Sequence, residues 1–325
     1  MILRFSVIPK RPYSLALTAE RYTRFPEVVD RFDGRVYRRL LGVGRGGVLL
    51  SVEQAGSPAH AILEVTLEGG QADSPASREA ARRVVEIALG AAADVVPFYR
   101  AHRGDAVLAS PIRGFRGLRV AGLPSLWEAT LTAILSQQVN LKFAYDIRRE
   151  LAQAFGQRAR VGRETFVAFP SPDSLAEETR ESLQHFRLSR AKALAISGLA
   201  RAFAEGELTE PAIAALPDEE AIEQLTKVKG VGRWTAEIAL LRGLGRADIF
   251  PAGDLGVVKY LAQGLLGRHA RATETDMRRF AERWKPYRSL ALVYGYAELS
   301  RRRAKGPAKP YPRPRSPESP RSRAR

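Results

Sequence analysis

The stretch LTKVKGVGRWTAEIALLRGLGRADIFPAGDLGVVKY, residues 225–260, decides how this chain reads. Two glycines, Gly230 and Gly232, separate two apolar helical patterns. Ile222, Leu225 and Val228 come before them, and Val231, Trp234, Ile238 and Leu241 come after. Glycines here let the backbone turn tightly, with positive φ available. A helix opening after Gly232 presents unpaired N–H groups at its start. With the helix dipole they make an anion site. Lys227, Lys229 and Arg233 flank the turn. The pattern is a helix–hairpin–helix suited to gripping a phosphate backbone through main-chain amides, a contact that positions DNA without reading its sequence. A plain αα-turn with a glycine cap fits the glycines alone. The run V-x-G-V-G-R with its flanking lysines favours DNA.

The stretch then reaches one carboxylate, Asp254, before LGVVKYLAQ. Aspartate is a favoured N-cap, worth ~1 kcal/mol. That role is compatible with a chemical one, because a helix start favours the charged carboxylate. An ionised carboxylate beside an extruded nucleotide stabilises positive charge growing on the sugar, and it can orient a water toward C1′.

The composition agrees with a polyanionic partner. The 325 residues carry a formal charge of +17 and are 45% hydrophobic. That is enough for a real core and for two domains. So basic a protein points first to nucleic acid. The absence of cysteine excludes disulfides, thiol nucleophiles and iron–sulfur clusters. His60, His102, His185 and His269 are far apart, which argues against a transition-metal site. Arg4, Lys10 and Arg11 interrupt the apolar N-terminus, and no run of ~18 apolar residues follows. The expected setting is the cytoplasm, at the nucleoid, with no membrane partner.

Along the chain, residues 1–110 read as an α+β unit with a small antiparallel sheet. LRFSVI, VYRRLLGV, GVLLSVEQ and AILEVTLEG are its strands, and a helix capped by Ser77 follows. GVGRGGV (42–48) lacks the following helix that a dinucleotide-binding loop needs, so it reads as a β-turn. Residues 111–303 read as an all-helical domain of short helices, with Trp127, Leu131, Ile134, Leu135 and Val139 on one face of an early helix. Trp127 is expected in the core. Trp284, Pro286 and Tyr287 form an expected corner, and Arg288 is left to either a phosphate or a carboxylate. Residues 304–325 hold six prolines, and seven basic residues against Glu318, the composition of a disordered basic tail.

Three separated motifs now stand in order: LWEATLTAILSQQV, VKGVGRWTAEIALLRGLGRADIFPAGD and RWKPYRSLALVYGYAE. From about Gly117 to Arg302 the chain resembles the helix–hairpin–helix DNA glycosylase superfamily, in its DNA-3-methyladenine glycosylase II branch. The resemblance implies that Asp254 is the catalytic aspartate, and that the amides of Gly230, Gly232 and Thr235 hold the DNA strand. It implies that Trp234 and Tyr296 stack on the base, and that the segment with Gln137 and Gln138 fills the gap the base leaves. The main-chain carbonyls of Thr226, Val228 and Val231 fall where such hairpins hold a structural monovalent cation; no other cofactor is required. Bifunctional relatives carry a lysine where this chain has Trp234, so the resemblance implies a monofunctional enzyme that releases alkylated bases such as 3-methyladenine from double-stranded DNA and leaves an abasic site. Ile238 and Tyr296 replace a tyrosine and a tryptophan of the branch, which implies a less aromatic pocket. The expected state is a monomer. A non-enzymatic DNA-binding clamp is the alternative.

Overall fold

The computed structural model describes residues 1–25, 27–263 and 272–305. The basic tail therefore lies, beyond Lys305, outside the described residues. The N-terminal part is a five-stranded antiparallel sheet in the order β1-β5-β4-β3-β2, built from β1 (Ile2–Val7), β2 (Asp30–Phe32), β3 (Val36–Leu41), β4 (Val48–Ala55) and β5 (Ile62–Glu68). All four expected strands are there; the three-residue β2 is too short to show a period. Leu63, Val65 and Leu67 alternate inward on β5, opposite Val7, Phe5 and Leu3 of β1. That face packs on Ala81, Val84, Val85 and Ala88. These come from α2 (Pro75–Arg83) and the π-helical turn that prolongs it. The cap of α2 is Ser74 and not the expected Ser77. Pro75 takes the first helical position, where its missing N–H costs nothing, and Ser77 turns inward to donate to Gln71 O. A short helix, α1 (Leu15–Ala19), precedes β2.

The helical part comprises α3 (Val96–His102), α4 (Ala109–Gly114), α5 (Leu126–Ser136), α6 (Leu141–Phe155), α7 (Asp173–Ala176), α8 (Arg180–Gln184), α9 (Arg190–Ala204), α10 (Glu210–Ala215), α11 (Asp218–Thr226), α12 (Arg233–Gly243), α13 (Glu274–Ala281) and α14 (Arg288–Lys305). Its core includes Val95, Phe98 and Leu108, whereas the core under the sheet ends at Ala91. Helix α3 thus packs with the helices that follow it. The expectation of an all-helical domain needs one correction. A hairpin, β6 (Arg158–Val161) and β7 (Glu164–Val167), follows α6 and turns at Gly162 with φ 59°. Its Phe166 packs with Ala168 on Leu40 and Leu49 of the sheet. The RARVGRETFV run carries the strand alternation and a glycine turn, a signal overlooked among helical neighbours.

Helix α5 lies at the centre, buried at every position from Leu126 to Leu135. Trp127 is core as expected, and its Nε1 donates to Pro170 O at 2.8 Å. Gly243 of α12 lies where a Cβ would come within 2.8 Å of Ala129 Cβ and 2.9 Å of Leu126 Cα, so the two helices touch backbone to backbone. Glu128 is the exception in this apolar helix. It accepts from Arg39 of β3 and from Arg148 of α6. Arg39 also reaches Asp30 of β2 at 2.7 Å, and Arg148 reaches Asp30 at 3.3 Å and Glu27. All five groups are buried, three carboxylates against two guanidiniums. Burial raises the Glu27 pKa despite Arg148 beside it. Burial would also raise that of Asp30, but the two arginines bring it below the usual range.

This imbalance sets an expected contrast. Arg148→Met strands buried carboxylates and costs about 3–5 kcal/mol. Glu27→Gln keeps a hydrogen-bonding oxygen, removes the surplus charge and changes stability by less than about 1 kcal/mol. Denaturant unfolding of both variants at neutral pH checks this.

Candidate active site at the hairpin

Helix α11 ends at Thr226, and the turn from Lys227 to Gly232 leads into α12. The helices meet through Ile222, Leu225, Val231 and Leu241, all buried. Gly230 has φ +90°, and a Cβ there would lie 2.5 Å from Ala195 Cβ of α9. Gly232 differs from the expected conformation: at φ −88° and ψ 174° it is extended, and a Cβ on it would meet nothing within 4 Å. As the N-cap it offers no side chain, so no side-chain hydrogen bond caps the first turn of α12. Lys227, Lys229 and both glycines are exposed. Neither lysine pairs with a carboxylate among the described residues. Arg233 is engaged within the protein, with Glu219 at 2.7 Å and the buried Glu237 at 3.1 Å. Arg278 of α13 also holds Glu237, at 3.0 Å. Thr235 is buried, and its hydroxyl accepts from Gln137 Nε2 at 2.9 Å.

The two glutamines expected to share one role are separated by the fold. Gln137 ends α5 and spends its amide on Thr235 Oγ1 and on Gly230 O, each at 2.9 Å, so it ties α5 to the hairpin. Gln138 is exposed, with φ +54°, in the left-handed region that non-glycine residues seldom occupy.

Asp254 lies beside the hairpin helix. Its Oδ2 accepts from Trp234 Nε1 at 3.0 Å. Its Oδ1 accepts from Tyr296 OH of α14 at 3.0 Å and from the Gly256 amide at 2.8 Å. The last bond is a capping bond, and the chain then winds as a π-helical segment, Gly256–Leu261. The capping bond expected of Asp254 is thus present, and the same side chain also accepts from Trp234 and Tyr296. An ionised carboxylate has about four lone-pair sites. Oδ1 accepts twice and Oδ2 once, which leaves Oδ2 with a free one. Burial first, then the Asp254 carboxylate, push the Tyr296 phenol well above its usual pKa of 10.0, so it is a neutral donor. Sequence reasoning gave Trp234 and Tyr296 stacking roles and missed these hydrogen bonds, because their donors and acceptor lie 20 and 42 residues apart. Trp234, Ile238 and Arg242 form the half-buried stripe of an otherwise mostly buried helix, at i, i+4 and i+8.

Residues 131–286 match the model of the "HhH-GPD superfamily base excision DNA repair protein" family. Over that stretch the chain resembles the helix–hairpin–helix DNA glycosylase superfamily. Relatives within it include a DNA-3-methyladenine glycosylase of Bacillus subtilis, 32% identical over 62% of this chain and 66% of the relative. DNA-3-methyladenine glycosylase 2 of Escherichia coli is 34% identical over 55% of this chain and 59% of the relative. The chain thus spans less than two thirds of the length of these curated superfamily members. A 3-methyladenine DNA-glycosylase from Archaeoglobus fulgidus shares the fold over 91% of this chain and 98% of its own, with TM-score 0.77 and 26% identity. In the superfamily's third motif, the corner residue Trp284 is buried, and Arg288 resolves to carboxylates, pairing with Asp248 at 2.8 Å and Glu282 at 3.0 Å. Among the described residues no cluster of acidic and histidine side chains is arranged to hold a metal ion, and no helix is long and apolar enough to cross a membrane.

The two hairpin glycines are expected to separate on substitution. Gly230→Ala meets both a positive φ and Ala195 and costs more than about 1 kcal/mol. Gly232→Ala adds a methyl to open space and costs less than about 1 kcal/mol. Thermal unfolding of each variant measures the difference.

Proposed function

We propose that this chain is a monofunctional DNA glycosylase that extrudes an N-alkylated purine such as 3-methyladenine from double-stranded DNA, cleaves its glycosidic bond and leaves an abasic site, acting as a monomer in the cytoplasm at the nucleoid. The observation that carries the reading is the hydrogen-bonded Asp254 carboxylate, held by Trp234 of the helix that follows the hairpin turn and by Tyr296. In this reading the exposed turn amides of Gly230 and Gly232, the first-turn amides of Arg233 and Thr235, and the ammonium groups of Lys227 and Lys229 take the DNA phosphates. The ring faces of Trp234 and Tyr296 meet the base. Gln138 enters the gap in the duplex, while Gln137 braces the turn behind it.

The chemistry follows from charge. An N-alkylated purine is cationic, and the electron pair of the glycosidic bond leaves with it as a neutral base. Positive charge then develops on the sugar, and Asp254 Oδ2 stabilises it. Water adds to C1′ and loses a proton. Trp234 cannot form an imine, so the abasic strand stays uncut. The carbonyls of Thr226, Val228 and Val231 would hold a monovalent cation at the turn: Val228 O accepts from Val231 N at 2.9 Å, and the other two accept no turn or loop backbone bond among the described residues. Such a cation would stiffen the turn.

Asp254→Asn is expected to slow base release by at least about 10²-fold with DNA affinity near wild type. The assay quantifies free base chromatographically from methylated duplex, beside a binding titration. Wild-type binding with no base release would favour a non-enzymatic clamp, and a borohydride-trapped adduct would overturn the monofunctional assignment.

A further inference from the structure

Lys192 lies in the first turn of α9, where its amide donates to the capping Ser189 Oγ at 3.3 Å. Its side chain crosses to the end of α5. There Nζ donates to Leu135 O at 2.8 Å and to Gln137 O at 2.7 Å. These carbonyls sit at the negative end of a helix and lack the partners a further turn would supply. The ammonium is half-buried, with no carboxylate paired to it among the described residues. Its donors go to the backbone of one turn.

That turn is the one that carries Gln138. The carbonyl of Gln137 belongs to the peptide plane that leads into Gln138, so a grip on it fixes one side of the φ +54° residue. On the other side Asn140 caps α6 through the Phe143 amide at 2.9 Å. The Gln137 side chain meanwhile anchors the turn to Gly230 O. With both flanks tied, Gln138 stands exposed between them.

We infer that Lys192 is a positioning residue that holds the Gln137–Gln138 peptide so that Gln138 is presented to the duplex gap opened by base extrusion. This rests on the reading of Gln138 given above. Lys192 touches neither base nor sugar. It acts on the extrusion step, and bond cleavage in a base already unpaired is independent of it.

The test measures single-turnover base release by the full chain from two duplexes. One has the N-alkylated purine in a normal pair; the other has it in an unpaired bulge, where extrusion costs little. Lys192→Met is expected to be about tenfold slower on the paired lesion, the scale of one charge-assisted hydrogen bond. It is expected to match wild type on the bulged lesion, and Lys192→Arg is expected to recover the paired rate. Equal slowing on both substrates, or unchanged rates on the paired one, would overturn the inference. Melting temperatures accompany each variant. Should the methionine form not fold, Lys192→Gln, which retains one donor group, is expected to show the same selectivity at smaller size. Gln138→Ala separates the two levels: selective slowing there without it in the Lys192 variants defeats only the Lys192 inference. No selectivity at Gln138 defeats the reading of Gln138 itself.

Discussion

The Glu128 carboxylate, held inside α5 by two buried guanidiniums, is the contact on which the arrangement of this molecule turns. Arg39 reaches it from the sheet and Arg148 from α6. Taking charges out of water is costly, and only close pairing in one geometry offsets that. The cluster therefore specifies how the sheet meets the helices, because a displaced partner would leave a bare charge in the interior. Helix α5 is then fixed at its middle by Glu128, along its length by the close approach of Gly243, and at its end by Gln137 and Lys192.

From that fixed helix the site follows. Helix α12 lies against α5 at backbone distance, so its first turn, the hairpin and Trp234 inherit the position of α5. Trp234 in turn holds Asp254, and Tyr296 brings in the last helix from the other side. A carboxylate held by three donors on two side chains and one amide has little freedom to wander. In the proposed reaction this is what stabilising a short-lived cation requires, since donors and charges already in place need no reorganisation as charge develops. The exposed face of the hairpin has the opposite character. Gly232 is bare, Lys227 and Lys229 pair with no carboxylate among the described residues, and Gln138 stands in a left-handed conformation supported from behind. Buried pairing is used where geometry must hold, and donors without acidic partners among the described residues are left on the face proposed to meet a polyanion.

The resemblance to the superfamily, the positions of Gly230 and Asp254, and four of the five strands of the sheet were legible in the residues. Each is a local signal: a glycine where a turn needs positive φ, an aspartate before a helix, valine and leucine at alternate positions. The pairing of Arg233, read only as flanking the turn, was not legible because its acids, Glu219 and Glu237, sit on a neighbouring helix and one turn further along its own. The β6–β7 hairpin was hidden by its helical surroundings, and Ser77 was taken for a cap although Ser74 precedes the proline.

By itself, the order of residues determined which segments form helices and strands, that a glycine turn joins two helices, and that one carboxylate follows them. These depend on short-range sterics and on apolar periodicity, which a few neighbouring residues express. Only the tertiary structure decided that Gln137 braces and Gln138 protrudes, that Trp234 and Tyr296 share one aspartate, and that Lys192 serves the end of α5. Those roles are hydrogen bonds between groups 20 to 98 residues apart, and such distances close only when the whole core has packed.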